Sequence, residues 1–187
     1  ESWKRNLENG LWIWWDEAGK KIQEGNYRSG QQHGTWINYN EKGRKIEESQ
    51  WKNGELFGKT TLWDKNGNKT ILKSFKEDEK DGLWIWWSPN GKKVKEGNFK
   101  LGDKNGKWTY YHANGKKKRL ENYKLGKKNG KLIVWFENGQ KEREESYKND
   151  EKHGKWTYWF ENGRLDKEEK YTNGVQTDGK HYDYFDN

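Results

Sequence analysis

The sequence predicts an all-β fold, an elongated antiparallel solenoid of β-hairpins arranged as a single-layer meander. Glycine recurs every 24 residues, at Gly10, Gly34, Gly58, Gly82, Gly106, Gly130 and Gly154, with a displaced copy at Gly179. A second glycine column runs from Gly19 to Gly163 and an aromatic column from Tyr27 to Tyr171 with the same period. Such a period is typical of repeat architectures. No segment sustains apolar residues at helical spacing, so no helix is predicted.

Each copy has the pattern of one hairpin. Residues 82–105 begin with a run rich in Trp and Ile, continue through a turn at Ser88 to Gly91, and form a second run that ends at Phe99. A loop at Gly102 leads to the next copy. Asn-Gly pairs favour the turn because glycine accepts a positive φ and asparagine bonds its own backbone. About sixteen short strands are expected.

The whole chain, residues 1–187, is predicted to be a single repeat domain. Full repeats are assigned to 10–33, 34–57, 58–81, 82–105, 106–129, 130–153 and 154–178, with partial repeats at 1–9 and 179–187. Hydrophobic residues make up only 28%, but 14 Trp, 10 Tyr and 6 Phe offer large buriable surfaces. A few rings per repeat can therefore replace an aliphatic core.

Strand alternation separates the aromatic columns into two faces. The expected core is the Tyr27 to Tyr171 column together with Trp15, Tyr39, Trp63, Trp87, Tyr111, Trp135 and Trp159, continued by Tyr184. The other face tolerates exceptions such as Thr60 and Leu132, as a surface would. Its aromatics are the predicted binding residues: Trp12, Trp14, Trp36, Trp84, Trp86, Trp108, Tyr110, Trp156 and Tyr158.

Copies three apart resemble each other more than neighbouring copies do. The third and sixth copies both carry aspartate in place of the loop glycine, at Asp78 and Asp150. Duplication of a three-hairpin block accounts for this. The alternative is a periodic docking site at the marked loops, in which Asp-to-Gly substitution weakens partner binding without changing the melting temperature.

No residue pattern indicates catalysis, a cofactor or a metal. Cysteine is absent, which excludes disulfides, thiol catalysis and cysteine zinc sites. His33 and His153 share one repeat position, and His112 and His181 have no companion carboxylates at ligand spacing. No serine lies in a nucleophile elbow. A non-enzyme is therefore expected.

The charge pattern disfavours nucleic acid as a partner. The net charge is +8, but 30 acidic residues are interleaved with 38 basic ones. A continuous basic stripe would be broken by Glu24, Glu48, Glu96, Glu144 and Glu168. The same column argues against a membrane surface, which stays possible but is not favoured. The lack of Cys and of an initiator Met favours a secreted, periplasmic or cell-surface location over the cytoplasm.

The segments at 24–36, 96–116 and 147–163 share an aromatic, a Gly-containing loop, Gly-x-Trp, a paired aromatic and Asn-Gly. In these the chain resembles the MORN-variant repeat proteins of bacteria. The resemblance implies stacked hairpins without catalytic residues. Some members are labelled antitoxin or immunity proteins, and MORN repeats more widely are associated with scaffolding, dimerisation and lipid binding. Gly106 to Tyr111 also resembles choline-binding and other cell-wall-binding repeats, although their second Gly-Trp is absent.

The predicted function is a non-enzymatic scaffold for protein–protein interaction, of the antitoxin or immunity type. The partner is another protein, and a homodimer could form through strand ends at Trp3 and Tyr184. The alternative is a cell-surface glycan or cell-wall binding module whose exposed Trp and Tyr stack on sugars. Rings covered by lysine stems would oppose that alternative.

Overall fold

A computed structural model describes residues 3–4 and 7–182, with side chains from residue 7 onward. Every regular element in these ranges is a β-strand, and none is a helix. Within each of its two parts described below, the strands pair antiparallel with their neighbours in the sheet, so the predicted all-β hairpin fold is confirmed. The chain divides into two compact units, residues 1–92 and 93–187.

The first unit contains ten strands within the described residues. They are β1 (Trp3–Lys4), β2 (Leu7–Glu8), β3 (Gly10–Trp15), β4 (Lys21–Arg28), β5 (Gln31–Tyr39), β6 (Lys45–Lys52), β7 (Glu55–Trp63), β8 (Lys69–Lys76), β9 (Glu79–Lys80) and β10 (Gly82–Trp87). Strand β1 pairs with β2, and β3 to β8 pair in chain order. Strand β8 continues to both β9 and β10.

The second unit repeats this arrangement. Its described strands are β11 (Lys93–Lys100), β12 (Asp103–Tyr111), β13 (Lys117–Lys124), β14 (Lys127–Lys128), β15 (Gly130–Trp135), β16 (Lys141–Lys148), β17 (Glu151–Lys152), β18 (Gly154–Trp159), β19 (Leu165–Thr172) and β20 (Val175–His181). Strand β13 pairs with β12, β14 and β15, and β16 pairs with β15, β17 and β18.

The Asn-Gly turns are three-residue hairpin loops. In one of them the Gly115 N–H donates to the His112 carbonyl at 2.9 Å, and Gly115 has φ +89°. This is a type I turn followed by a left-handed residue. Asn114 Oδ1 accepts from the Lys116 N–H at 2.9 Å, which confirms the predicted asparagine role. Its amide nitrogen also donates to the Glu137 carbonyl at 3.1 Å and so links neighbouring copies.

The other turns contain two residues, both with positive φ. Ser29 and Gly30 have φ +52° and +78°, which fits the type I′ turn that matches strand twist. The N–H of the second residue donates to a carbonyl of the preceding copy. Examples are Gly30 to Glu8, Gly54 to Gln32 and Gly174 to Lys152, each at 2.9 Å. Within each unit, these bonds join successive turns.

Asp78 and Asp150 occupy the second position of two such turns, with φ +60° and +71°. The Asp78 carboxylate accepts from the Leu56 N–H at 2.8 Å, and that of Asp150 accepts from the Lys128 N–H at 2.7 Å. Glycine at this position makes only the backbone bond. The aspartates therefore have a structural role between neighbouring turns, and replacing them is expected to change the melting temperature.

Strand pairing fixes which aromatics share a face. Trp12 lies opposite Gly25 and Gly10 lies opposite Tyr27, so the Tyr27 column lies on the same side as Trp12. We call this side, which also carries Trp14, the Trp12 face, and in each unit the name refers to the side that carries the equivalent repeat positions. The opposite side, which carries Leu11, Ile13, Trp15 and Glu24, is the Trp15 face.

The predicted core is wrong for the Trp15 column, whereas the Tyr27 column does pack against the most buried rings, as Phe99 does against Trp108 at 5.0 Å between centroids. The most buried column is on the Trp12 face: Trp12, Trp36, Thr60, Trp84, Trp108, Leu132 and Trp156 are all at most 9% exposed. Trp15 is 57% exposed, and the later members of its described column are half-buried. Alternation separates two faces but does not show which one packs, and cross-strand pairing places Tyr27 with Trp12. Tyr184 and the Trp3 side chain lie outside the described residues.

Candidate binding surfaces

Trp108 shows how the central ring of a copy is held. It is 1% exposed, and its indole N–H donates to the Asn98 carbonyl at 3.0 Å. Phe99 meets the ring edge-on at 5.0 Å between centroids, and Lys104 Nζ lies 4.6 Å above it. Gly97 also lies against the ring, since a Cβ there would lie only 2.2 Å from it.

The same indole bond recurs along the Trp12 face. Trp36, Trp84 and Trp156 donate to Asn26, Ser74 and Ser146 carbonyls at 3.1, 3.0 and 3.0 Å. Five of the nine predicted binding residues are thus structural, and the expectation that they are exposed is wrong: Trp12, Trp36, Trp84, Trp108 and Trp156. The other four are half-buried: Trp14, Trp86, Tyr110 and Tyr158. Contact of these nine residues with a partner stays a prediction.

Cations cover the rings of this face in the second unit. Lys152 Nζ lies 4.3 Å from the Trp156 centroid and 4.6 Å from that of Tyr171. The Arg119 guanidinium lies 4.2 Å above Tyr110. Burial among such rings lowers the pKa of Lys104. Because the ring faces are occupied, they do not offer platforms on which sugars could stack.

Buried carboxylates on this face were not anticipated from the sequence. Glu121 and Glu145 are 4% and 6% exposed, and they accept hydrogen bonds from Tyr123 at 3.0 Å and Tyr147 at 2.9 Å. Burial, followed by the nearby carboxylate, raises the pKa of both tyrosines. A basic-x-Glu-x-Tyr pattern at 119–123, 143–147 and 167–171 is the sequence signal that could have revealed them.

The Trp15 face is more open in the first unit. Leu11 is 51% exposed and Trp15 is 57% exposed on the same strand. Nearby, Lys21 pairs with Glu24 at 3.0 Å, and the Tyr39 hydroxyl donates to Glu24. The Tyr39 bond is the largest factor that lowers the pKa of Glu24. The glutamate column noted in the sequence therefore lies on this face, where lysines offset its charge.

No group of three or more His, Cys, Asp or Glu side chains in residues 7–182 could hold a metal ion. His112 instead lies with Nε2 2.9 Å from the Trp135 carbonyl and contributes to inter-copy contacts. Within the same described part of the chain, no helix is long and apolar enough to cross a membrane.

Comparison with known families settles what kind of repeat this is. The sequence model of the family described as MORN repeat variant matches residues 8–29, 80–101, 104–125, 128–149 and 152–173, more than half of the chain. The chain belongs to the MORN repeat variant family. MORN repeats are non-catalytic modules that generally mediate protein or membrane interaction. The predicted family is confirmed.

Other comparisons add little to the MORN assignment. No curated protein matches the chain. Among solved structures, a crystal structure of a GtfA/B complex bound to UDP and GlcNAc matches with a TM-score of 0.26 and 12% identity. The match covers 58% of this chain and 21% of that chain. A similarity at this level supports no functional argument.

Proposed function

We propose that this MORN repeat chain is a non-enzymatic scaffold that binds another protein, of the antitoxin or immunity type. The observation that carries the proposal is the pair of open apolar side chains on one ordered strand, Leu11 at 51% and Trp15 at 57% exposure. Apolar side chains exposed as a patch mark interaction sites, and Leu11 and Trp15 share one face of β3. Tryptophan is also enriched among the residues that dominate binding energy.

The surroundings of Trp15 support a protein partner. Ile22 is a further open apolar residue, 41% exposed, and the neighbouring Lys21–Glu24 pair offers a polar rim. An apolar centre with a polar rim is the usual anatomy of protein interfaces. The half-buried rings Trp14, Trp86, Tyr110 and Tyr158 are the second candidate contact.

The alternative of glycan binding requires several open, evenly spaced rings. On the Trp15 face, Lys21 lies 4.6 Å above Tyr39 and Lys141 lies 5.5 Å above Trp159. On the Trp12 face, the tryptophans of the Trp12 column are buried. Trp15 is the most exposed ring in residues 7–182, and the next, Phe57 at 40% and Tyr182 at 39%, occupy other repeat positions. The open rings are therefore not evenly spaced, which favours a protein anchor over a sugar platform.

A capture experiment tests the proposal. Immobilised wild type is compared with a Leu11→Asn, Trp15→Ala double variant and with a Trp14→Ala, Trp86→Ala, Tyr110→Ala triple variant, all shown to be folded by circular dichroism. Lysate and secreted fraction of the source organism are applied to each. We expect a specific protein that the triple variant retains and the double variant loses.

Other outcomes have separate meanings. Loss only in the triple variant would move the contact to the Trp12 face. Retention of glycan or cell-wall material without protein would contradict the proposal. Homodimerisation is tested by light scattering at high concentration, where a monomer would exclude it.

A further inference from the structure

Two leucines occupy turn positions that disfavour leucine. Leu101 and Leu125 are the first central residues of two-residue turns, with φ +51° and +47°. Bulky side chains seldom adopt this left-handed region. Asparagine, which tolerates it, stands at the equivalent position in Asn53, Asn149 and Asn173.

Neither leucine gains burial in return for this strain. Leu101 is 65% exposed and Leu125 is 52% exposed, so each presents most of its apolar surface to solvent. Polar residues in most other copies show that the turn itself does not require leucine. Strained residues of this kind cluster at functional sites.

The two turns are fixed relative to each other. The Gly126 N–H donates to the Lys104 carbonyl at 2.9 Å, and the Leu125 N–H lies 3.4 Å from Asn105 Oδ1. One turn joins β11 to β12 and the next joins β13 to β14, so two strand spacings, roughly 10 Å, separate them. The leucines form a pair at fixed spacing.

The rim of this pair is basic. Lys100 and Lys124 directly precede the leucines, and Lys127 follows the second turn; all three are exposed. Asp103 is the acidic residue between the turns, and it lies beside Gly126. A partner surface complementary to this pair would therefore be apolar at its centre and carry carboxylates at its border.

We infer that Leu101 and Leu125 are anchors that enter an apolar cleft, bordered by carboxylates, on the protein partner. This rests on the proposed scaffold function and adds a second contact at the turn edge. A fixed spacing suits a partner of fixed shape, whereas a fluid bilayer needs none. Asp103 between the two leucines also disfavours an anionic membrane surface.

The test uses the full chain with Leu101→Asn and Leu125→Asn. Relief of the two left-handed leucines is expected to raise the Tm by on the order of 3 °C. Partner affinity is expected to fall roughly ten-fold or more. A matched control, Val175→Asn, removes an apolar side chain that is 66% exposed from a strand and should leave affinity unchanged.

A photoreactive leucine analogue at position 101 or 125, with position 175 as control, identifies what covers the turns. We expect cross-links to apolar residues of a protein, close to Asp or Glu in its sequence. Cross-links to lipid or to a second copy of this chain would overturn the inference. The inference would also be overturned if the wild type captures a protein and the double Asn variant binds that protein with unchanged affinity. Capture of no protein by wild type would instead refute the scaffold function.

Discussion

Gly97 should not tolerate alanine, although its backbone conformation is ordinary. A Cβ at this position would lie 2.2 Å from Cδ2 of Trp108 and 2.5 Å from Cε2. Real Cβ atoms do not approach other atoms so closely. Trp108 is 1% exposed, so its ring has little room to move away.

The expected cost follows from three contributions. Overpacking costs about 1–3 kcal/mol, and loss of the indole bond to Asn98 adds about 1 kcal/mol if the ring shifts. Reduced freedom of the unfolded chain offsets about 0.4–1 kcal/mol. The net loss is about 1–4 kcal/mol, which lowers Tm by roughly 2–14 °C in a chain of this size.

Thermal unfolding followed by circular dichroism measures the effect. The matched control is Gly179→Ala, also in a strand, where the nearest contact is the flexible Gln176 amide at 2.7 Å. It should change Tm little. A Gly97→Ala, Trp108→Leu double variant should lose less than the sum of its single variants. Equal Tm values for Gly97→Ala and Gly179→Ala would refute the close packing of Trp108.

Three further predictions follow from buried, bonded and charged groups. Trp108→Ala should cost about 3–5 kcal/mol in urea unfolding, and Trp15→Ala less than about 1 kcal/mol, because only Trp108 is enclosed; similar losses would contradict the assignment of faces. Asp150→Ala should lower stability by about 1–2 kcal/mol and Asp150→Asn by less, since asparagine keeps an acceptor for the Lys128 N–H; equal Tm values would show that this bond is unimportant. Lysine bonds lower the pKa of Glu144, so its contribution is present above the ordinary value of 4.5 and is lost as pH falls through the lowered pKa. Glu144→Gln should therefore lower the free energy of unfolding at pH 7 and make that free energy depend less on pH in the acid range. An unchanged dependence on pH would show that Glu144 does not contribute to stability.

The sequence was sufficient for the turns because their chemistry is local. Asn66-Gly67 predicts a left-handed glycine, and Gly67 has φ +91°. The 24-residue spacing likewise predicts hairpins in series. Both depend on residues close in the chain, where backbone preference decides the structure.

The sequence pattern does not predict in the same way which face is buried. The Trp12 column and the Trp15 column are both largely aromatic, so the periodicity alone does not show which of them is the more buried. The distinction comes from the neighbouring strand, where Gly25 and Gly97 leave room for Trp36 and Trp108. These two glycines fall outside both glycine columns and within strands, where glycine often marks a close approach. That signal was present in the sequence.

Hydrogen exchange of the indole N–H groups, followed by NMR, tests most directly which face is the core. We expect slow exchange for Trp36, Trp84, Trp108 and Trp156, whose N–H groups donate to backbone carbonyls. Of these five indoles, that of Trp15, at 57% exposure, should exchange fastest. Slow exchange at Trp15 with fast exchange at Trp108 would reverse the two faces and contradict the account.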